Sequence, residues 1–209
     1  AGNGIVAAEI NIAEIADTGR PRMKSATVQL TDGVVTLEMN ETVDVTPTSL
    51  FHLSNIFISD FADESDFSLV GSTLTMIDST ILTIHLTEIQ RVQAILRSDA
   101  PGGNINPLHI NTQVGAFVDL AGNNNTYINL VMTEFADTGS PMLINASINY
   151  STGELLMFFN ETIKCDPLTT VDVTQVTLVN ETSKTYFSLA NTTHIVAQNE
   201  TFVNLTLTE

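Results

Sequence analysis

Apolar side chains recur at every second position in short runs, and each run ends at turn-forming residues, the pattern of half-buried strands in an antiparallel sandwich. Ala26, Val28 and Leu30 share one face; after a turn at Asp32-Gly33 that face takes up Val35, Leu37 and Met39, and later Leu82, Ile84 and Leu86. A second series follows the same phase, with Ala146, Ile148 and Tyr150, then Leu155, Met157 and Phe159 after Thr152-Gly153, then Val203, Leu205 and Leu207. Further strands are predicted near 112–119 and 126–135. One stretch changes period. Thr87 and Gln90 stand in capping-box spacing, Ile89, Val92, Ile95 and Leu96 follow at helical intervals, and Pro101-Gly102-Gly103 ends the segment. A short helix bridging two strands is expected there.

The two series are copies. Residues 1–21 recur as 121–141 at a constant shift of about 120, and the register carries on: Gly33 falls on Gly153, Asn40-Glu41-Thr42 on Asn160-Glu161-Thr162, Pro47 on Pro167 and Phe67-Ser68-Leu69 on Phe187-Ser188-Leu189. With one inserted residue, 81–88 then matches 202–209. The organisation expected is an N-terminal strand over 1–16, a first repeat over 17–136 and a second over 137–209 that carries no counterpart of 89–136. The fold class expected is all-β, with two immunoglobulin-like antiparallel β-sandwich repeats, the second incomplete, and one short helix in the first.

Seven Lys+Arg against 24 Asp+Glu leave a formal charge of −17. Phosphate backbones and anionic lipid would repel such a chain, so neither nucleic acid nor insertion into a membrane is expected. A single cysteine excludes a disulfide framework within the chain; Cys165 aligns with Val45, which predicts a buried thiol acting as a small hydrophobe.

Thr is about one residue in seven and Asn about one in twelve, far above ordinary usage. N-x-S/T sequons stand at Asn40, Asn124, Asn145, Asn149, Asn160, Asn180, Asn191, Asn199 and Asn204, where chance would supply roughly four. The strand phase sets Asn40, Asn145, Asn149, Asn160 and Asn204 on outer faces, so covalent N-linked glycans and an extracellular or cell-surface location are expected. No leader is recognisable in AGNGIVAAEI, so the extracellular location rests on the sequons and the lone cysteine.

No enzyme signature is present: His52, His85, His109 and His194 lack metal-ligand spacing, and neither G-x-S-x-G, a P-loop nor H-E-x-x-H occurs. No cofactor is expected. Calcium is the one ion whose chemistry fits, at the acidic loop Asp60, Asp63, Glu64 and Asp66 and at Asp119 with Asn123 or Asp137, although neither group has EF-hand spacing and a merely solvated loop reads the same. Asp17 and Asp137 are expected to cap the turn that opens each repeat.

The unit DTGxP, an alternating strand, G-x-L-x-x-x-x-N-E-T, then LTEIQRVQAIL and FVDLAGN, resembles the immunoglobulin-like tandem repeats of large algal and protist surface proteins, notably mastigoneme-type flagellar hair proteins; the D-x-A-G-N ending at Asp119–Asn123 is also similar to cyanobacterial swimming-motility repeats. The resemblance implies an extracellular glycoprotein fibre without catalysis. Residues 1–16, with Ala8, Ile10 and Ile12 at the positions of Ile128, Leu130 and Met132, are candidates for a strand donated to a neighbouring copy, which would polymerise the chain head to tail. A piece of a longer tandem array reads equally from the same residues, and the alternative function is a calcium-dependent adhesion or carbohydrate-binding module of a longer tandem-repeat surface protein.

Overall fold

Gly33 adopts φ 69°, open to glycine at little cost, and its N–H bonds to the Gln29 carbonyl at 2.9 Å; Gly153 repeats the turn with φ 71° and a 2.8 Å bond to Asn149. Around these two turns the chain, described over residues 11–165, 171–189, 194–195 and 200–207 in a computed structural model, is all-β. No helix among the described residues is long and apolar enough to cross a membrane.

The first repeat supplies β1 (Met23–Gln29), β2 (Val34–Asp44), β3 (Ile56–Ser59), β4 (Phe67–Ser68), β5 (Thr73–Leu74), β6 (Ser79–His85), α1 (Glu88–Arg97), β7 (His109–Thr112), β8 (Val118–Asp119), β9 (Ile128–Val131) and β10 (Thr133–Phe135). One sheet runs β10-β1-β2-β6-β5 with β8 beside β2, and the other runs β4-β3-β7-β9. Between them lies one core, in which Val28, Leu30, Val35, Leu37, Ile84 and Ile110 are fully buried and Phe117 stacks on Phe51 at 5.9 Å. The last strand serves both sheets. It runs antiparallel to β7 as β9, turns at Met132, and runs parallel to β1 as β10.

The second repeat supplies β11 (Leu143–Asn149), β12 (Glu154–Ile163), β13 (Thr177–Asn180), β14 (Thr185–Ser188), β15 (His194–Ile195) and β16 (Glu200–Thr206), in sheets β11-β12-β16-β15 and β13-β14. Pairing is duplicated residue for residue: Val35 with Ile84 becomes Leu155 with Leu205, and Phe57 with Ser68 becomes Thr177 with Ser188. Even the register shifts recur, between Met23 and Ser25 and between Leu143 and Asn145. Cys165 is buried beside Leu155, Met157, Leu189, Val203 and Leu205, as Val45 is in the first core, and burial pushes its thiol pKa up.

Two expectations need correction. Tyr150 has the phase of Leu30, yet Leu30 is 0% exposed and Tyr150 89%, and Ala146 is likewise exposed where Ala26 is buried. Strand phase selects a face, but burial needs a layer opposite, and the described second repeat has no counterparts of β7, β9 and β10. In α1, which forms with the expected capping box, the buried residues are Gln90, Arg91 and Ala94, while Ile89 stands 76% exposed. Gln90 accepts from the Ser72 and Thr87 hydroxyls and the Thr87 N–H, and donates to the Ser68 and Val70 carbonyls, so its amide is fully satisfied out of water.

Candidate assembly interface

The edge of β11 is where the repeats differ most. In the first repeat β1 is flanked on one side by β2 and on the other by β10, with Thr27, Val28 and Gln29 opposite Thr133, Glu134 and Phe135. At the equivalent edge, β11 pairs only with β12 among the described residues, and Met142, Leu143 and Ile144 are exposed. A strand with one free edge and an uncovered apolar face is a template for another strand. Residues 11–16 lie outside any strand, with Ile12 and Ile15 well exposed. Ala8 and Ile10 lie outside the described residues.

A second feature joins the two repeats. The Arg91 side chain, 6% exposed, leaves the first repeat with all three guanidinium nitrogens engaged. Nε and Nη2 donate to the two Glu88 carboxylate oxygens at 2.7 and 2.9 Å, Nη1 to the Leu30 carbonyl at 3.0 Å and to Asp137 at 2.8 Å, and Nη2 also to Glu161 at 3.2 Å. Glu88 in turn accepts the Thr162 N–H at 2.8 Å. Thr31 completes the seam by accepting the Thr138 N–H at 3.1 Å. Burial pushes the Glu88 carboxyl up, but the hydrogen bonds from Arg91 and Thr162 outweigh it and hold the pKa below the usual range; the bond to Glu88 above all raises that of Arg91. Beside this clasp, Ile89, Val92 and Leu96 line a groove of about 560 Å³ against Thr162, Glu200 and Thr201. Ile89, Val92 and Leu96 therefore face the junction, while Ile95 and Ala94 pack on the core of their own repeat.

The residues that receive Arg91 recur in the first repeat. Asp137 and Glu161 correspond to Asp17 and Glu41, and the carboxylates of Asp17, Glu41 and Asp119 lie within 4.8 Å of one another. Asp119 thus stands beside the start of its own repeat and not beside Asp137. It accepts the Ala121 and Asn123 N–H groups and the Asn123 amide; burial opposes its charge, and these bonds still hold its pKa below the usual range. Asp17 and Asp137 cap their turns as expected, accepting the Gly19 and Gly139 N–H at 2.8 and 2.9 Å. Among the acidic-loop candidates, Asp60, Glu64 and Asp66 come together, whereas Asp63 is drawn aside by the Tyr127 hydroxyl at 2.6 Å. Asp66 also accepts from Arg97 at 3.2 Å.

Asn40, Asn124, Asn145, Asn149, Asn160 and Asn180 are exposed; Asn204, on β16 between β12 and β15, is only partly so, with its Oδ1 shielded and unpartnered. Asn191 and Asn199 lie outside the described residues. Two sequon asparagines also have a backbone role: Oδ1 of Asn40 accepts the Arg22 N–H and that of Asn160 the Met142 N–H, both at 2.6 Å, bridging the register shift of each first hairpin. His52 and His85 are exposed, and His109 bonds Asn129 at 3.2 Å. Arg91 and Glu88 were not among the residues that sequence reasoning selected. Their i, i+3 spacing and the recurrence of Asp and Glu at 17/137 and 41/161 were the signal.

No protein-family model matches the chain, and no curated protein or solved structure does either.

Proposed function

We propose that this chain is a structural, non-catalytic part of a glycosylated extracellular filament or surface appendage, in which immunoglobulin-like repeats join head to tail. The observation that carries the reading is the contrast at one strand position: β1 has a parallel neighbour and a buried face, whereas β11, its copy, has no second neighbour and, of that face, only Ile148 partly buried within the described residues. The shift of about 120 residues that maps 133–135 onto 13–15 supplies a matching strand. Ala13, Glu14 and Ile15 of a neighbouring copy would lie parallel to Ser147, Ile148 and Asn149, with Ala8, Ile10 and Ile12 over the uncovered face. Each copy would then close the next, and such a contact propagates rather than closing on itself. The resemblance to mastigoneme-type repeats and the exposed sequons point the same way.

The test is a pair of introduced cysteines, Ala13→Cys and Ser147→Cys, joined by a short thiol crosslinker. A ladder of multimers that needs both cysteines is expected; monomer alone would sink strand donation. For the glycans, the intact mass of secreted protein should exceed the 22.6 kDa polypeptide and fall on deglycosylation. A calcium-dependent adhesion module is the second reading, favoured by the Asp17–Glu41–Asp119 and Asp60–Glu64–Asp66 groups, and a calcium titration followed by calorimetry tests it.

A further inference from the structure

Asp17 and Glu41 occupy the same frame as the carboxylates that hold Arg91. A Cβ built on Gly19 would stand 3.1 Å from Asp17 Oδ1 and 3.6 Å from Glu41; one built on Gly139 would stand 3.2 Å from Asp137 Oδ1 and 3.9 Å from Glu161. The Asn40 and Asn160 bonds that precede each glutamate are the same length. Seen from the glycine, the two pairs stand at distances that agree within a few tenths of an ångström, and one of them grips a guanidinium supplied by the unit before it. Three carboxylates come together at Asp17, Glu41 and Asp119, an arrangement that favours a cation among them. The internal copy identifies which cation the frame takes.

We infer that Asp17 and Glu41 are the receptor for an arginine carried on the helix of a preceding unit of the same repeat, so that successive units are joined by the clasp Arg91 makes here. This rests on the head-to-tail order of repeats in a longer tandem array, where a helix-bearing unit precedes Asp17, and is separate from strand donation, because no counterpart of α1 is found among the described residues of the second repeat. Donor and receptor lie at opposite ends of a repeat: Arg91 follows β6 and reaches forward to the next unit, while Asp17 and Glu41 face back from β1 and β2. A planar fork that bonds two carboxylates while also donating to a carbonyl, as Arg91 does to Leu30, is a task lysine does not fill equally.

The experiment titrates dilute, isotopically labelled full-length chain with ethylguanidinium, following backbone amides by NMR; ethylammonium and calcium chloride at equal ionic strength are run in parallel. Saturable shifts confined to Gly19, Glu41 and Asn123 are expected with ethylguanidinium, at least about tenfold weaker with ethylammonium and in Glu41→Gln. Gly139 and Glu161 should stay still in the natural chain, where Arg91 already sits, and begin to respond in Arg91→Gln. If that variant does not fold, the natural chain against Glu41→Gln decides alone. The inference is overturned by an absent or unlocalised response at Gly19 and Glu41, by an equal response to ethylammonium, or by tighter saturation with calcium, which would favour a metal site. The titration reads no assembly, so a crosslinking ladder without it would remove the clasp and keep strand donation, and the converse result would do the reverse.

Discussion

The two repeats share strand register, turn geometry and even the asparagine bonds at the register shift, yet Leu30 is sealed and Tyr150 stands in solvent. What differs is distant in the chain: the segment from β7 to β10 that covers one sheet has no described counterpart in the other. Hairpin register is therefore a local property, set by alternation and a glycine turn, and survives without a complete sandwich. Burial is not local, and an uncovered copy of a covered face is what makes the second repeat a candidate for assembly.

Leu30→Ala should cost about 3 kcal/mol in urea unfolding, whereas its counterpart Tyr150→Ala in dilute monomer should change stability by less than about 0.5 kcal/mol, because only the first removes buried volume. Equal losses would mean that the second face is covered in solution. Next, Arg91→Ala should cost about 2 kcal/mol and separate the unfolding of the two repeats, since Glu88, Asp137 and Glu161 then face one another; their partial exposure keeps the cost below that of a fully buried pair. A single transition of unchanged midpoint would show that the clasp couples nothing.

Acid sharpens the same junction. Glu88 has a depressed pKa in the folded chain, so its stabilising contribution is present above the ordinary value of 4.5 and is lost as pH falls through the lower folded value. The Thr162 amide resonance, bonded to Glu88, should titrate below pH 4.5, and in Arg91→Gln its midpoint should move upward because burial then acts with less opposition. A midpoint indifferent to Arg91 would place the cause elsewhere. The smallest effect is the one the repeats should share: Asn40→Ala and Asn160→Ala should each cost about 1 kcal/mol in unglycosylated protein, by equal amounts in thermal unfolding. Unequal losses would show that the register shift leans on more than its own asparagine.

The strand phases, both glycine turns and the cap of α1 were legible because each depends on residues within a few positions of one another. The buried face of α1 was not. An arginine goes inward only where partners meet it, and besides Glu88 and the Leu30 carbonyl those of Arg91 lie 46 and 70 residues away, in the other repeat. The spacing of Asp60, Asp63 and Asp66 likewise gave no sign that Tyr127 would take Asp63 and leave Glu64 with the others. The exposure of Ala146 and Tyr150 was hidden for the opposite reason: their alternation is identical to that of buried residues.

Amide hydrogen exchange across β11, followed as protein concentration is raised, distinguishes an open strand edge from one paired with a neighbouring copy. The β11 amides not bonded to β12 should exchange quickly in dilute chain and become protected as copies associate, while those of β1 stay protected throughout. Fast exchange at β11 in preparations that have already formed multimers would contradict strand addition at this edge.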